Sequence, residues 1–524
     1  MFKVNDKNQV NLFSPMSNWN NFQNRRINKT WAKTFNEEIF PNIVEENFEI
    51  LYSNDKASRP NTPVNVIVGL LIIKELENLT DEEAMDALMF DTRVQYALNT
   101  IDNFKQEGSE NTLNHFRRRL NDYYVKTGID LLDDEIKSLN EKLIKISKIN
   151  SNLRRIDSMM ISSSCKNLNR IELVYEVNKN IVKKMKELGF KIKGFKKYIE
   201  ESKKSDILYK TKSSEENNKL SNLLHDSVKI YNRIKNDTRI NETIEFKNLE
   251  RLLNDQYNFA DKKPKDNKEI KPTSMQTPYD GEATYRFKYK NNKGYVGNVE
   301  EIIEVDDNKK TKKALISNWS VDQNIKSDKE YMKEFIDNNE NKEVIVDSAY
   351  YSSELKKEAK ERNITIHPTE LVGQKPSDNL LEKFKIDEKT KEVLMCPKYQ
   401  KPIETKYKED GTIIAKFNKE KCFACPLRDK CIAMNKRVKG KLESKLSTYE
   451  RYKEAKKRLE SEYIKTSNLR AGIEGIPSVM RRRYHIDNRA GKGLLRLKIK
   501  YCCSMISINI KRITKMNNKM ESLG

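Results

Sequence analysis

Apolar residues recur along the chain in two different rhythms. Over residues 59–98, "RPNTPVNVIVGLLIIKELENLTDEEAMDALMFDTRVQYAL", they cluster at helical spacing, and the stretch reads as consecutive helices. Pro63 suits the first turn of one of them, where a missing N–H costs nothing. Thr80 followed by Glu83 is a capping box that opens the next, with Ala84, Leu88 and Met89 expected on its buried side. "SENTLNHFRRRL" (109–120) supplies a further helix with a basic end, and residues 127–147 another. Residues 1–50 are polar with scattered aromatics such as Trp19, Phe22 and Trp31, and suit short helices.

The rhythm changes at "NLRRIDSMMISSS" (152–164), where β-branched and apolar residues surround Asp157 and predict a strand carrying an acid. Residues 166–270 are long, charged and helix-prone, with no proline before Pro264, and read as an all-helical insertion that leaves through the flexible "DKKPKDNKEIKPT" (261–273). This insertion is either a solvated helical pair or an arm that contacts DNA through lysine-rich stretches such as "KIKGFKKY". β-character returns at "ATYRFKYKNNKGYVGNVEEIIEV" (283–305), two strands about an Asn-Asn-Lys-Gly turn, and at "KKALISNWSV" (312–321). A helix over residues 327–338, the strand "EVIVD" and a charged amphipathic helix follow. A β-meander followed by alternating α and β predicts an α/β fold with a mixed sheet.

Two of these strands hold a carboxylate, Asp157 and Asp347. A carboxylate at the end of a buried strand costs free energy unless something binds it. A hard divalent cation is one remedy, since Mg²⁺ prefers carboxylate oxygen; capping the next helix is the other. Two such strands side by side favour the metal. A third acid lies in "SNLRAGIEGIPSVMRRRYHIDNRAGKGLLRLKIKYCCSMISINIKRI" (467–513): Glu474 is the only acid within residues 463–486, with Arg470 four residues before it and Arg481, Arg482 and Arg483 after it. On a helix Arg470 and Glu474 share a face and could be a plain ion pair. A lone glutamate among so many cations also suits a site that holds metal and phosphate together. Gly472, Gly475 and Pro477 predict a kink there. The four histidines, His115, His225, His367 and His485, are scattered and receive no catalytic role.

Cys396, Cys422, Cys425 and Cys431 form a C-x25-C-x2-C-x5-C array around "CFACPLRDKC". The close C-x2-C pair is what a tetrahedral zinc site uses, and a loop poor in apolar residues needs such a staple. Lys421, Arg428 and Lys430 would favour the thiolates that zinc needs. Free thiols or a disulfide are the alternative. Cys165, Cys502 and Cys503 read as packing residues.

Charge then narrows the partner. The 524-residue chain, long enough for two to four domains, carries a formal net charge of +23, and a polyanion is the first partner to expect. Its charged fraction of 34% is high, but 23 Tyr and 18 Phe argue against general disorder. No segment approaches the ~18 apolar residues of a membrane helix, and "MFKVNDKNQVNLF" lacks the apolar core of a signal peptide. Seven unevenly spread cysteines fit a reducing setting, so the expected location is cytoplasmic and nucleoid-associated.

Asp157, Asp347 and Glu474, in this order and context, resemble the DDE triad of bacterial insertion-sequence transposases. "GLLIIKELENLTDEEAMDAL…NTLNHFRRRL" resembles the helical N-terminal domain of that group, and "ATYRFKYKNNKGYVGNVEE", "VIVDSAYYSSE", "CFACPLRDKC" and "RAGIEGIPSVMRRRY" resemble successive parts of its catalytic domain. The likeness spans about residues 40–510, with a poorly matched gap at 170–270. It implies a ribonuclease H-like fold with Asp157 on the first strand. It also implies two Mg²⁺ (or Mn²⁺) ions held by the three acids, and cleavage and strand transfer at an element's terminal repeats. Double-stranded DNA is the implied partner, with a homodimer assembled on it and no membrane. Related transposases carry Y-x2-R-x3-E-x6-K around the glutamate; here Arg470 and Glu474 match, Ser467 replaces the tyrosine, and Arg481 replaces the lysine. Arg470 and Arg481 are thus the expected phosphate contacts. The implied division is a helical DNA-binding domain over 1–126 and a catalytic core over 127–165 and 271–390. A helical insertion covers 166–270, a four-cysteine insertion with a candidate structural zinc covers 391–440, and C-terminal helices carrying Glu474 cover 441–524. Two other readings stay open: an inactive or domesticated DNA-binding descendant, and a ribonuclease H-like nuclease that cuts without joining.

Overall fold

The computed structural model describes residues 2–5, 15–53, 57, 60–103, 106, 108–208, 215–288, 290–369, 378–435, 438–489 and 491–521. Its centre is a mixed sheet built on β1 (Leu153–Ser162), β2 (Lys290–Val305), β3 (Thr311–Gln323), β4 (Glu343–Val346) and β5 (Thr365–Pro368). In space these run β3-β2-β1-β4-β5. β2 lies antiparallel to both β1 and β3, whereas β4 and β5 run parallel to β1. A meander of three strands, extended on its inner edge by two parallel strands reached through helices, is the ribonuclease H-like arrangement.

The hairpin leading into this sheet turns earlier than the glycine signal suggests. Thr284–Lys288 pairs with the start of β2 in a register that sets Lys288 opposite Lys290, so the Asn-Asn-Lys-Gly run lies inside β2 rather than at the turn. Residue 289 lies outside the described residues. Gly294 answers to a different demand. Its φ is +147° and a Cβ there would sit 2.3 Å from the Ile161 carbonyl oxygen, so the pairing of β2 with the end of β1 admits no side chain there.

Side chains of β1 alternate between two faces. Ile156 packs with Val296, Val344, Val346 and the helices α6 (Asp328–Asn338) and α7 (Ser353–Glu361). Met159 and Ile161 instead join a cluster that contains the long helix α10 (Leu494–Glu521) and the N-terminal helices. Among these are α1 (Val64–Glu77) and α2 (Leu131–Ile146). Arg155 and Asp157 share the parity of Met159 and so face the α10 side.

Helix α10 is apolar on most of its circumference because it lies between the sheet and the N-terminal helices. Its buried polar groups are paired. Lys500 Nζ meets Glu75 of α1 at 2.6 Å, and Asn509 Nδ2 donates to Asn140 of α2 and to the Ile316 carbonyl. The N-terminal helices therefore share one hydrophobic cluster with the sheet. The capping box of Asp81–Phe90 forms between Thr80 and Glu83, but the buried residues are Ala84, Met85 and Leu88; Met89, one position further round, is exposed.

Between β1 and β2 the chain forms α3 (Arg170–Glu187), α4 (Glu216–Ile234) and α5 (Ile244–Gln256), which bury a cluster of their own. After β5, a small three-stranded sheet over residues 404–445 and its neighbouring loops enclose a further cluster, against which Cys396, Cys422 and Cys431 pack. Among the described residues no helix is long and apolar enough to cross a membrane.

Candidate active site

The two strand acids arrive level with each other. Arg155 of β1 pairs with Ile345 of β4, so two residues further along Asp157 and Asp347 stand side by side on adjacent parallel strands. β4 ends at Val346, and Asp347 accepts from the Ser348 backbone N–H at 2.5 Å as the cap of the turn Ser348–Tyr350. Both readings of Asp347 hold geometrically: it is a cap, and it faces Asp157. Its side chain is 43% exposed, whereas that of Asp157 is 15% exposed.

Glu474 comes to the same place from another direction. After α8 (Ser461–Asn468), the chain tightens into a 3₁₀ turn over Leu469–Glu474 and then enters α9 (Gly475–Arg482). The expected kink is this change of helix type. Pro477 lies in the first turn of α9, where its missing N–H breaks no bond. The turn lays Arg470 among the acids: its Nη2 is 3.1 Å from Asp157 Oδ1 and 3.9 Å from Asp347 Oδ2, and its Nη1 is 3.1 Å from Glu474 Oε1. One guanidinium thus touches all three predicted carboxylates. Arg470 Nε is buried and has no hydrogen-bond partner, so the acids supply the side chain's fixed contacts.

Burial pushes the Asp157 carboxyl above its ordinary range. The Arg470 guanidinium and the Ser158 N–H oppose that shift, and the nearby Asp347 charge adds to it. Arg481, the second expected phosphate contact, lies on α9 and meets β1 further along: its Nη2 donates to the Met160 carbonyl at 2.9 Å and its Nε is 3.5 Å from Asp487. It is a half-exposed neighbour of the acids rather than a partner of any of them.

The donor set suits a hard dication, being carboxylate oxygen throughout. As the side chains stand, no three His, Cys, Asp or Glu groups among the described residues are grouped closely enough to hold a metal ion. The physical reason at the acids is Arg470, whose positive charge occupies the space between them. The same holds for the four cysteines. Cys396, Cys422, Cys425 and Cys431 all line one cavity of ≈ 30 Å³. Burial and the neighbouring thiols push Cys422 and Cys431 upward, so these two favour the neutral thiol.

Two residues bonded next to this site, Arg155 and Glu301, escaped the pattern of the sequence. Arg155 Nε donates to Glu301 Oε2 at 2.6 Å, its Nη1 donates to the Leu469 carbonyl at 2.6 Å, and Arg512 Nη1 of α10 reaches Glu301 Oε1 at 2.6 Å. The one available signal was the pairing of "RR" at 154–155 with "EE" at 300–301, in two strands otherwise rich in apolar residues.

Two family matches accord with this geometry. Residues 23–119 match a family described as a transposase domain (DUF772), and residues 395–514 match one described as a transposase DDE domain. The second range takes in the four cysteines, Arg470, Glu474 and Arg481, while Asp157 and Asp347 fall outside both. No curated protein and no solved structure matches the chain. A helical transposase domain followed by a ribonuclease H-like sheet and a DDE-domain match, in that order along one chain, supports a DDE transposase of an insertion sequence.

Proposed function

We propose that this transposase cleaves DNA at the terminal repeats of its element and joins the freed 3′ ends to a target. The observation that carries the reading is the meeting of Asp157, Asp347 and Glu474 around one guanidinium. Three acids from separate segments are costly to gather at a half-buried point, and an ordinary core would not repay it. In this reading Asp157 and Asp347 are the principal metal ligands and Glu474 completes the set. Mg²⁺ or Mn²⁺ bound there would supply Lewis acidity to the scissile phosphate and lower the pKa of a bound water. Arg470, held by carboxylates alone, would exchange them for a phosphate oxygen when DNA arrives, and Arg481 would hold the backbone further along β1.

The division proposed for the chain is a DNA-binding helical region over 1–126, the catalytic core over 127–165 and 271–390, and helices over 441–524 that bring Glu474. The helical insertion over 166–270 and the four-cysteine insertion over 391–440 interrupt it. In the latter, Zn²⁺ would draw the four sulfurs together and bind them as thiolates, releasing their protons. The net charge of +23 supports duplex DNA as the partner, and a homodimer on paired ends is the expected assembly. A DNA-binding descendant without chemistry would have no need of all three acids. The test is metal-dependent nicking of a duplex bearing the element's end, followed by capture of the nicked 3′ end into a plasmid. Binding without nicking would sink the catalytic reading, and nicking without capture would leave a nuclease.

A further inference from the structure

The turn that carries Arg470 and Glu474 is short, contains Gly472 and ends at Gly475, so its own backbone gives it little rigidity. Something outside the turn must fix it over Asp157. We propose that Arg155 is a positioning residue of the active site, holding the turn Leu469–Glu474 in place from a buried anchor on Glu301. The claim rests on the reading of the three acids as the catalytic centre.

Four observations carry it. Arg155 lies two residues before Asp157 on the same face of β1, so anything it grips sits beside that acid. Its Nη1 bond goes to the Leu469 carbonyl, the peptide immediately before Arg470. Its guanidinium fills the space left by the missing side chain at Gly472, where a Cβ would stand 2.1 Å from Nη1. Its other end is immobile. Glu301 is fully buried and lies directly opposite Arg155 in the β1–β2 register, and Arg512 of α10 fixes it from the far side. The anchor is thus tied to the sheet and to α10 at once. One planar fork can bind the carboxylate and the carbonyl together; a lysine, with its single compact ammonium, cannot reproduce both bonds in that geometry. A charge pair serving only the core would need no bond to the turn.

The experiment uses the full chain and Mn²⁺ as probe, with free ion followed by electron paramagnetic resonance. Wild type, Asp157→Asn, Arg155→Lys, Glu474→Gln and the Arg155→Lys/Glu474→Gln double variant are compared. Groups that orient metal ligands typically matter on the order of tenfold in affinity. Arg155→Lys should weaken Mn²⁺ binding by about that factor, and the double variant should be no weaker than Glu474→Gln, because Arg155 acts through the turn. Wild-type affinity in Arg155→Lys, or a double variant that loses the product of both factors, overturns the proposal. Asp157→Asn separates the two levels: unchanged Mn²⁺ binding there refutes the acids as ligands and the positioning claim with them. Loss in Asp157→Asn without loss in Arg155→Lys refutes the positioning alone. Should Arg155→Lys fail to fold, Gly472→Ala attacks the same contact with Arg155 intact. It should raise amide exchange within residues 469–474 while leaving β1 protected; unaltered exchange there counts against the proposal.

Discussion

Gly472 in the turn and Gly475 at the start of α9 are predicted to respond to alanine with opposite signs. At Gly472 an added Cβ would lie 2.1 Å from Arg155 Nη1, 2.7 Å from Cζ and 2.8 Å from Nη2. Ordinary contact begins at 3.4 Å, so the guanidinium or the turn must retreat by 3.4 − 2.1 = 1.3 Å. Arg155 cannot yield cheaply, because its Nε bond to Glu301 and its Nη1 bond to Leu469 are both 2.6 Å and both buried. Losing one charge-assisted hydrogen bond costs about 1.5–3 kcal/mol, and disrupting a buried ion pair outright costs roughly 3–5 kcal/mol. Against this, alanine removes unfolded-state entropy worth about 0.4–1 kcal/mol. Gly472→Ala should therefore destabilise the fold by about 2 kcal/mol. Gly475 has helical backbone, with φ −63°, and nothing within 4 Å of its built Cβ. Gly475→Ala should keep the entropic gain and stabilise by about 0.5 kcal/mol. Equilibrium urea unfolding of the two variants beside wild type is the assay. Equal midpoints for both would refute the claim that the turn is seated on Arg155.

Other expected outcomes follow from the same contacts. The Asp157 carboxyl titrates above its ordinary range, so the folded state binds more protons than the unfolded one between that range and the raised value. The stability tied to its protonated form is complete below the ordinary range and is lost as pH rises through the raised one. Asp157→Asn should accordingly raise the melting temperature of the metal-free protein at neutral pH, with the gain vanishing toward acid; a variant less stable at neutral pH contradicts the desolvation argument. Glu75→Ala would strand the buried Lys500 and should cost roughly 3–5 kcal/mol, while Glu75→Leu with Lys500→Met should recover most of it in thermal melts. If the cysteine cavity holds zinc, the purified chain contains one equivalent by elemental analysis, and Cys422→Ser lowers both that content and the protease resistance of residues 391–440; zinc-free protein of full stability would leave the thiols as packing groups.

What could be read from the chain was whatever lies in local order. The strand holding Asp157, the strand running up to Asp347, the Thr80 and Glu83 capping box and the break at Gly472 to Pro477 all follow from spacing within a few residues. The hairpin turn was misplaced because Gly294 is a glycine for a tertiary reason, the closeness of β1, and turn chemistry cannot see that. Met89 was misjudged against Met85 because two methionines four residues apart on one helix satisfy nearly the same periodicity. The anchor of the site was invisible for a different reason. Arg155 and Glu301 are 146 residues apart, and only the β1–β2 register sets them opposite each other. The meeting of Arg470 with all three acids likewise depends on where the turn after α8 lands on the sheet.

The central claim is that Asp157, Asp347 and Glu474 form one metal-dependent centre that cuts DNA. The most direct test is nicking of a labelled duplex carrying the element's own end, in Mg²⁺ or Mn²⁺, by wild type beside Asp347→Asn. Nicking at the end that requires the ion and disappears in the variant is the predicted result. Equal cleavage by both proteins would reduce Asp347 to a cap on the turn Ser348–Tyr350 and contradict the account.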